Sequence, residues 1–316
     1  MKITILQPQL IQEFGSRANQ EDSIYPQTGD ATQEERLFVL CDGMGGHENG
    51  EVASQLVCEV LPAYVKAHWE KGVFTDELLQ QALDEVYNRI NEYQSDSIRK
   101  MGTTLTCLCL HQGGVMMAHI GDSRIYHIRP SEHLILYKSR DHSLAYDLFM
   151  AGSISYEELT TYKKNVITRA VMPGLDSPFQ ADIAHSADVK TGDYFLLCSD
   201  GMLEQMTDGE LLALLSADMD NEQKRTVFVE RTRENKDNHS AILVQVEHVE
   251  PEADDDQLAD DEQTTVSNAK LFEKKLYKQS MPTNDFSVKM VYYLKYILIL
   301  LALVLLFVCL YVVISS

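Results

Sequence analysis

Short apolar runs that end in an acidic residue beside a glycine alternate along this chain with stretches of helical spacing. Residues 37–41 (Leu-Phe-Val-Leu-Cys) are apolar throughout and stop at Asp42-Gly43, the pattern of a buried strand that delivers a carboxylate at its tip. Residues 193–198 repeat the arrangement ahead of Asp200-Gly201. Between the two, residues 51–66 and 76–93 carry the helical period, and in the second Leu78, Leu79, Ala82, Leu83, Val86 and Ile90 fall on one face. Residues 104–110, 115–120 and 124–128 read as a strand meander, broken at Gly113-Gly114 and at Gly121-Asp122. Helical segments are expected around 208–215 and 222–233, and a closing strand at 241–246. The stretch 143–182 holds no sustained period and is expected to be a mobile loop. Strands outnumber helices through the middle, so the expected class is α+β, with two packed sheets and helices outside.

The hydropathy changes character after residue 248. Residues 250–262 are mostly acidic and without period, as a solvated linker is. Residues 296–314 form an uncharged apolar run that at 1.5 Å per residue would span about 28 Å, close to the hydrocarbon thickness of a bilayer. Lys270, Lys274, Lys275, Lys278, Lys289 and Lys295 precede it and no charge follows, so the positive-inside rule puts the preceding chain in the cytoplasm. Near the start, Gln7-Pro8-Gln9 interrupts before a signal-peptide core can develop. The expected organisation is a folded domain over 1–248, an acidic then lysine-containing linker over 249–290, and a transmembrane anchor over 291–316. Such a protein would be single-pass in the cell membrane, with its folded domain cytoplasmic.

A chain of 316 residues that is 45% hydrophobic can bury a full core. Its formal charge of −21, with no basic stripe, excludes a nucleic-acid partner. The six cysteines (Cys41, Cys58, Cys107, Cys109, Cys198 and Cys309) sit inside apolar stretches rather than at framework spacings, and read as reduced core residues. Cys107 and Cys109 would share one face of a strand.

The candidate chemistry lies in five acidic steps: Arg17-Ala18-Asn19-Gln20-Glu21-Asp22, Asp42-Gly43-Met44-Gly45-Gly46-His47, Gly121-Asp122-Ser123-Arg124, Ser199-Asp200-Gly201 and Asp237-Asn238. Aspartates that follow apolar runs and precede glycine or a turn residue are placed at strand ends, where several side chains can converge on hard divalent cations. Taken in order, and with Gly102-Thr103-Thr104 and Asn165-Val166-Ile167-Thr168-Arg169-Ala170 between them, these steps resemble the metal-dependent serine/threonine protein phosphatases of the PPM (PP2C-like) family in its bacterial form. The resemblance runs from about Arg17 to about Val246.

The resemblance implies an α-β-β-α sandwich of two antiparallel sheets flanked by helices, with 143–182 as a flap beside the site. It implies two Mn²⁺ or Mg²⁺ ions and a weaker third position. Asp42 would bridge the two ions, with Asp200 and Asp237 on one of them. Glu21, Asp22 and the carbonyl of Gly43 would hold the other, largely through waters. Asp122 with Asp200 matches the third position, and Arg17 would grip the substrate phosphate. The implied partners are phosphoproteins, a serine/threonine kinase or its substrates at the same membrane. Met44 stands where many eukaryotic members carry a histidine proposed as general acid, and His47 reads as structural. Tyr162-Lys163-Lys164 replaces a His-Pro common in bacterial relatives. Asp122 alternatively pairs with Arg124 to shape a turn, and His142 either organises its loop or touches substrate. A catalytically weak pseudophosphatase serving as a phosphoprotein-binding module is the non-enzyme alternative, against which the intact acidic set argues; a phosphatase of small esters is the other.

Overall fold

The protein is described by a computed structural model over residues 1–44, 50–70, 72–93, 101–162 and 166–250. The first half runs β1 (Lys2–Ile5), β2 (Gln9–Glu13), β3 (Asp22–Tyr25), β4 (Leu37–Met44), α1 (Gly50–His68), α2 (Asp76–Tyr93), β5 (Gly102–Thr103), β6 (Leu105–His111), β7 (Gly114–Ile120) and β8 (Arg124–Arg129). The second half runs β9 (Leu134–Lys138), α3 (Leu144–Met150), α4 (Tyr156–Thr161), β10 (Asp182–Ser186), β11 (Tyr194–Cys198), α5 (Asp200–Leu203), α6 (Asp208–Leu215), α7 (Asn221–Thr232) and β12 (His239–Glu250).

The strands form two antiparallel sheets. One has the order β1-β12-β11-β8-β9, with β2 also on β12; the other has the order β10-β7-β6-β4-β3, with β5 also on β4. Side chains alternate across each strand, and here both faces are covered. From β4, Phe38 and Leu40 enter the core between the sheets with Ile125, Phe195, Leu197 and Ile242. Its other face sends Val39 and Cys41 against Val57, Leu61, Leu83 and Val86 of α1 and α2. In the opposite sheet Tyr194, Leu196 and Cys198 of β11 pack outward on Leu211, Leu215 and Phe228 of α6 and α7. Burial on both faces explains why the central strands read as continuous apolar runs. The helix-sheet-sheet-helix layering and the α+β class follow from three apolar layers, in which each fully buried Leu, Val or Phe contributes about 1.5–3 kcal/mol.

Some sequence expectations shift. The expected meander over 104–128 is divided: β6 and β7 pair in one sheet, but the turn at Gly121-Asp122 carries β8 into the other, between β11 and β9. β4 continues through Met44, so Asp42 lies inside the strand rather than at its tip. Asp193 precedes β11 instead of opening it, and β12 is longer than expected at both ends. The first three strands, β9 and β10 were not anticipated: Gln9–Glu13 and Asp182–Ser186 carry too much polarity to stand out as strands. Residues 143–182 contain two short helices, the second opened by a reciprocal Ser155–Glu158 capping box. Cys41, Cys58, Cys107, Cys109 and Cys198 are buried and free. Among the described residues no helix is long and apolar enough to cross a membrane; the expected anchor, most of the linker, His47, Lys163, Lys164 and Cys309 lie outside them.

Candidate active site

Strand ends and turns from both sheets bring the acidic steps together. Asp22 of β3 is the direct cross-strand partner of Asp42 in β4. Asp200 opens α5 just after β11, Asp237 lies just before β12, and Asp122 sits in the turn between β7 and β8.

Hydroxyl groups fix these acids. The Asp42 N–H donates to Thr104 Oγ1 (2.9 Å), and its carbonyl accepts from the Thr104 N–H and the Thr103 hydroxyl, both at 2.9 Å. Thr104 Oγ1 also meets Ser123 Oγ at 2.8 Å, tying Asp42 to the Asp122 turn. Ser199 Oγ donates to Asp22 Oδ2 (2.9 Å) and accepts from the Ser240 N–H (3.0 Å), a link between the two sheets. Gly43 is packed backbone to backbone: a Cβ there would lie 2.2 Å from the Gly50 carbonyl oxygen. Its N–H donates to the Glu21 carbonyl at 3.0 Å.

The carboxylates sense one another strongly. Burial first, then Asp22, Asp200, Asp122 and Asp237, push the Asp42 carboxyl well above the usual range. Burial and neighbouring acids push Asp22 and Asp122 up to about 7, against hydroxyl hydrogen bonds at Asp22 and the Arg124 charge at Asp122. Asp200 is raised by burial and Asp237, and Glu21 by burial, with Arg17 opposing. Asp22 Oδ1 and both oxygens of Asp122 are buried without a hydrogen-bond partner. Orphaned carboxylate oxygens amid mutual repulsion are what a divalent-cation site requires, and an all-oxygen donor set suits Mg²⁺ or Mn²⁺.

Arg17 is exposed at the rim, its Nη2 donating to Asp237 Oδ2 at 2.7 Å. Arg124 is committed to Asp141 through two 2.6 Å contacts, so it does not take Asp122 as a turn partner.

His142 organises its loop. Its Nδ1 accepts from the Gly121 N–H (3.1 Å) while its own N–H donates to the Gly121 carbonyl (2.9 Å), binding the start of the flap to the Asp122 turn. With His119 and Asp182 it forms a trio whose ligand atoms lie within 4.8 Å of one another. The two imidazoles are stacked at 4.6 Å and 16°, however, so no single ion about 2 Å from both nitrogens lies in both ring planes. The Gly121 N–H also places the His142 ring proton on Nε2, which faces Asp182 at 3.2 Å.

Sequence reasoning named the acids but not the groups that hold them. Thr104, Ser199 and Asn238 stood only as parts of motifs, and Ser240 carried no assigned role; a hydroxyl or amide beside Asp22, Asp122, Asp200 and Asp237 was the available signal.

The protein phosphatase 2C family model matches residues 16–237. The chain is 33% identical over 196 residues to the protein phosphatase PhpP of Streptococcus pneumoniae, covering 61% of this chain and 78% of that one. The solved serine/threonine phosphatase PstP of Mycobacterium tuberculosis superposes with a TM-score of 0.65 at 28% identity, covering 77% of this chain and all of that one. The catalytic domain of PstP solved with two manganese ions gives 0.64 at 29% identity, covering 77% of this chain and 99% of that one. A match over that span, on a two-sheet sandwich whose acids converge at one end, places the chain in the protein phosphatase 2C family.

Proposed function

We propose that this protein is a Mn²⁺- or Mg²⁺-dependent protein-serine/threonine phosphatase, tethered by residues 296–314 with its folded domain at the cytoplasmic membrane face. The observation that carries the catalytic reading is the buried acid cluster with unpartnered oxygens at Asp22 and Asp122. Family membership and relatives named as serine/threonine phosphatases support it. The apolar run and its preceding lysines support the tether.

In this reading Asp42, Asp200 and Asp237, with Asp22, Glu21 and the Gly43 carbonyl, hold two cations, and Asp122 with Asp200 provides a third position. Such cations would supply charge to screen a phosphate dianion and acidity to activate a water at neutral pH. The protein's share is placement. Thr104 and Ser123 fix the backbone that carries Asp42 to the Asp122 turn, and Ser199 holds the Asp22 carboxylate, so the acids are placed before substrate arrives. Arg17 offers a guanidinium at the open rim, where a phosphoserine or phosphothreonine would present its oxygens. Met44 has no transferable proton, so the leaving alkoxide takes its proton from another group or from solvent. Phosphoproteins, a serine/threonine kinase or its substrates at the same membrane, are the proposed targets.

The test is phosphopeptide hydrolysis by the full-length protein in detergent with Mn²⁺ against excess EDTA, alongside a small phosphate ester. Mn²⁺-dependent release from the peptide supports the reading. Activity in excess chelator overturns the metal mechanism, and phosphopeptide binding without turnover under any divalent ion supports the pseudophosphatase. Removing residues 291–316 should release the protein into the soluble fraction; a full-length protein that is already soluble overturns the tether.

A further inference from the structure

Asn238 follows Asp237 and is 4% exposed, and its side chain is spent entirely on one loop. Its Nδ2 donates to the carbonyls of Phe14 (3.0 Å) and Asn19 (2.9 Å), and its Oδ1 accepts from the Glu21 N–H (2.8 Å). Its own N–H donates to Asp237 Oδ1 at 2.9 Å. The loop it grips leaves β2 in one sheet, enters β3 in the other and carries Arg17 between the two anchored carbonyls. Gly15, at φ +57°, brings that loop so close that a Cβ would lie 2.2 Å from the Asp237 carbonyl oxygen. Arg17 then reaches Asp237 Oδ2 at 2.7 Å, on the same carboxylate whose other oxygen accepts from Asn238.

We infer that Asn238 is a positioning residue: its carboxamide holds the 14–21 loop so that Arg17 and Glu21 face the acid cluster in the geometry that phosphate binding requires. The inference rests on the phosphatase reading above. An amide is needed because the partners are two acceptors and one donor. Aspartate has the same shape but turns an oxygen toward two carbonyls, replacing two attractions with repulsion. A side chain that touches no substrate then controls the cation that does, and a misplaced guanidinium loses its bidentate hold on phosphate.

The experiment uses the full-length protein with Mn²⁺, comparing wild type, Asn238→Asp, Arg17→Ala and the double variant. Asn238→Asp should raise KM for a phosphopeptide, and the inhibition constant of inorganic phosphate, by about ten- to a hundredfold, the range for a lost charged hydrogen-bonded contact, with a smaller fall in kcat. In the Arg17→Ala background the same change should move the phosphate constant less than about twofold, because its route runs through Arg17. Hydrogen exchange should show the Glu21 amide exposed in Asn238→Asp while amides of β6 and β12 stay protected. Multiplicative effects in the double variant, unchanged KM with an unchanged Glu21 amide, or protection lost throughout the domain each overturn the inference. If the wild type hydrolyses no phosphopeptide, the phosphatase reading fails, and the Glu21 amide alone decides whether Asn238 holds the loop.

Discussion

Gly43→Ala tests whether the acid cluster depends on backbone contact rather than side chains alone. A Cβ at this position would lie 2.2 Å from the Gly50 carbonyl oxygen, 2.5 Å from the Gly50 carbonyl carbon and 2.6 Å from the Glu21 carbonyl oxygen, whereas ordinary contact begins near 3.4 Å. All three neighbours are backbone, so no rotamer change relieves the overlap. The α1 N-terminus, or the chain entering β3, must retreat by about 1.2 Å, the difference between 3.4 and 2.2 Å. Overpacking of this kind costs about 1–3 kcal/mol. With a urea m-value of about 2 kcal/mol/M, the unfolding midpoint should fall by roughly 0.5–1.5 M. Because Gly43 adjoins Asp42 and its N–H is bonded to Glu21, the same shift displaces cluster atoms, and a misplacement near 1 Å costs about a hundredfold in rate. Gly209→Ala, where nothing lies within 4 Å of the new Cβ, is the control and should stay within about 0.5 kcal/mol of wild type. Urea unfolding followed by circular dichroism and Mn²⁺-dependent phosphopeptide turnover read both effects. A Gly43→Ala protein with wild-type midpoint and wild-type kcat/KM would refute the packing argument; a lowered midpoint with wild-type turnover would refute its connection to the site.

Asp42→Asn should abolish most turnover yet raise the Tm of the metal-free protein, since it removes one charge from a set of mutually repelling carboxylates; a lowered metal-free Tm in differential scanning calorimetry would contradict this. Mn²⁺ at a hundred times its Kd should stabilise the wild type by about 2.7 kcal/mol, or roughly 5–10 °C in Tm for a domain of this size, reversed by EDTA. Asp193 is buried, and although burial pushes its carboxyl up, hydrogen bonds from His127, Arg129 and the Lys190 N–H hold it below the usual range. A depressed folded-state pKa stabilises above the unfolded value and loses that contribution as pH falls below about 4, so Asp193→Asn should cost stability at pH 7 and flatten the loss between pH 4 and 2 in urea titrations.

The central strands and the two outer helix layers were legible because each has a local cause, and the acids proposed as ligands could be named from their short steps. The run at 37–41 is apolar since both faces of β4 are covered, and helix 76–93 declares itself through one apolar stripe. The first strands were illegible because their partner is remote: Leu10 and Ile11 pair with Ile242 and Ala241, and a five-residue segment flanked by glutamines carries no sign of that. Arg17 could be named from its motif, but its contact with Asp237 depends on a loop closure across the whole domain. Asp122 was ambiguous in the sequence because Arg124 stands two residues away, and only the competing claim of Asp141 on that arginine settles the turn.

The pairing of β12 sets an order of assembly. That strand hydrogen-bonds β1, β2 and β11, so the two opening strands have no sheet to join until the last one exists. The β6–β7 and β8–β9 hairpins can pair early through short connections, whereas the ladders to β12 close loops of more than two hundred residues and come late. Arg17 and Asp237 meet through that same closure. A partly synthesised chain therefore lacks the Arg17–Asp237 contact, and a break within β12 leaves β11 with a bare edge that invites another chain to pair.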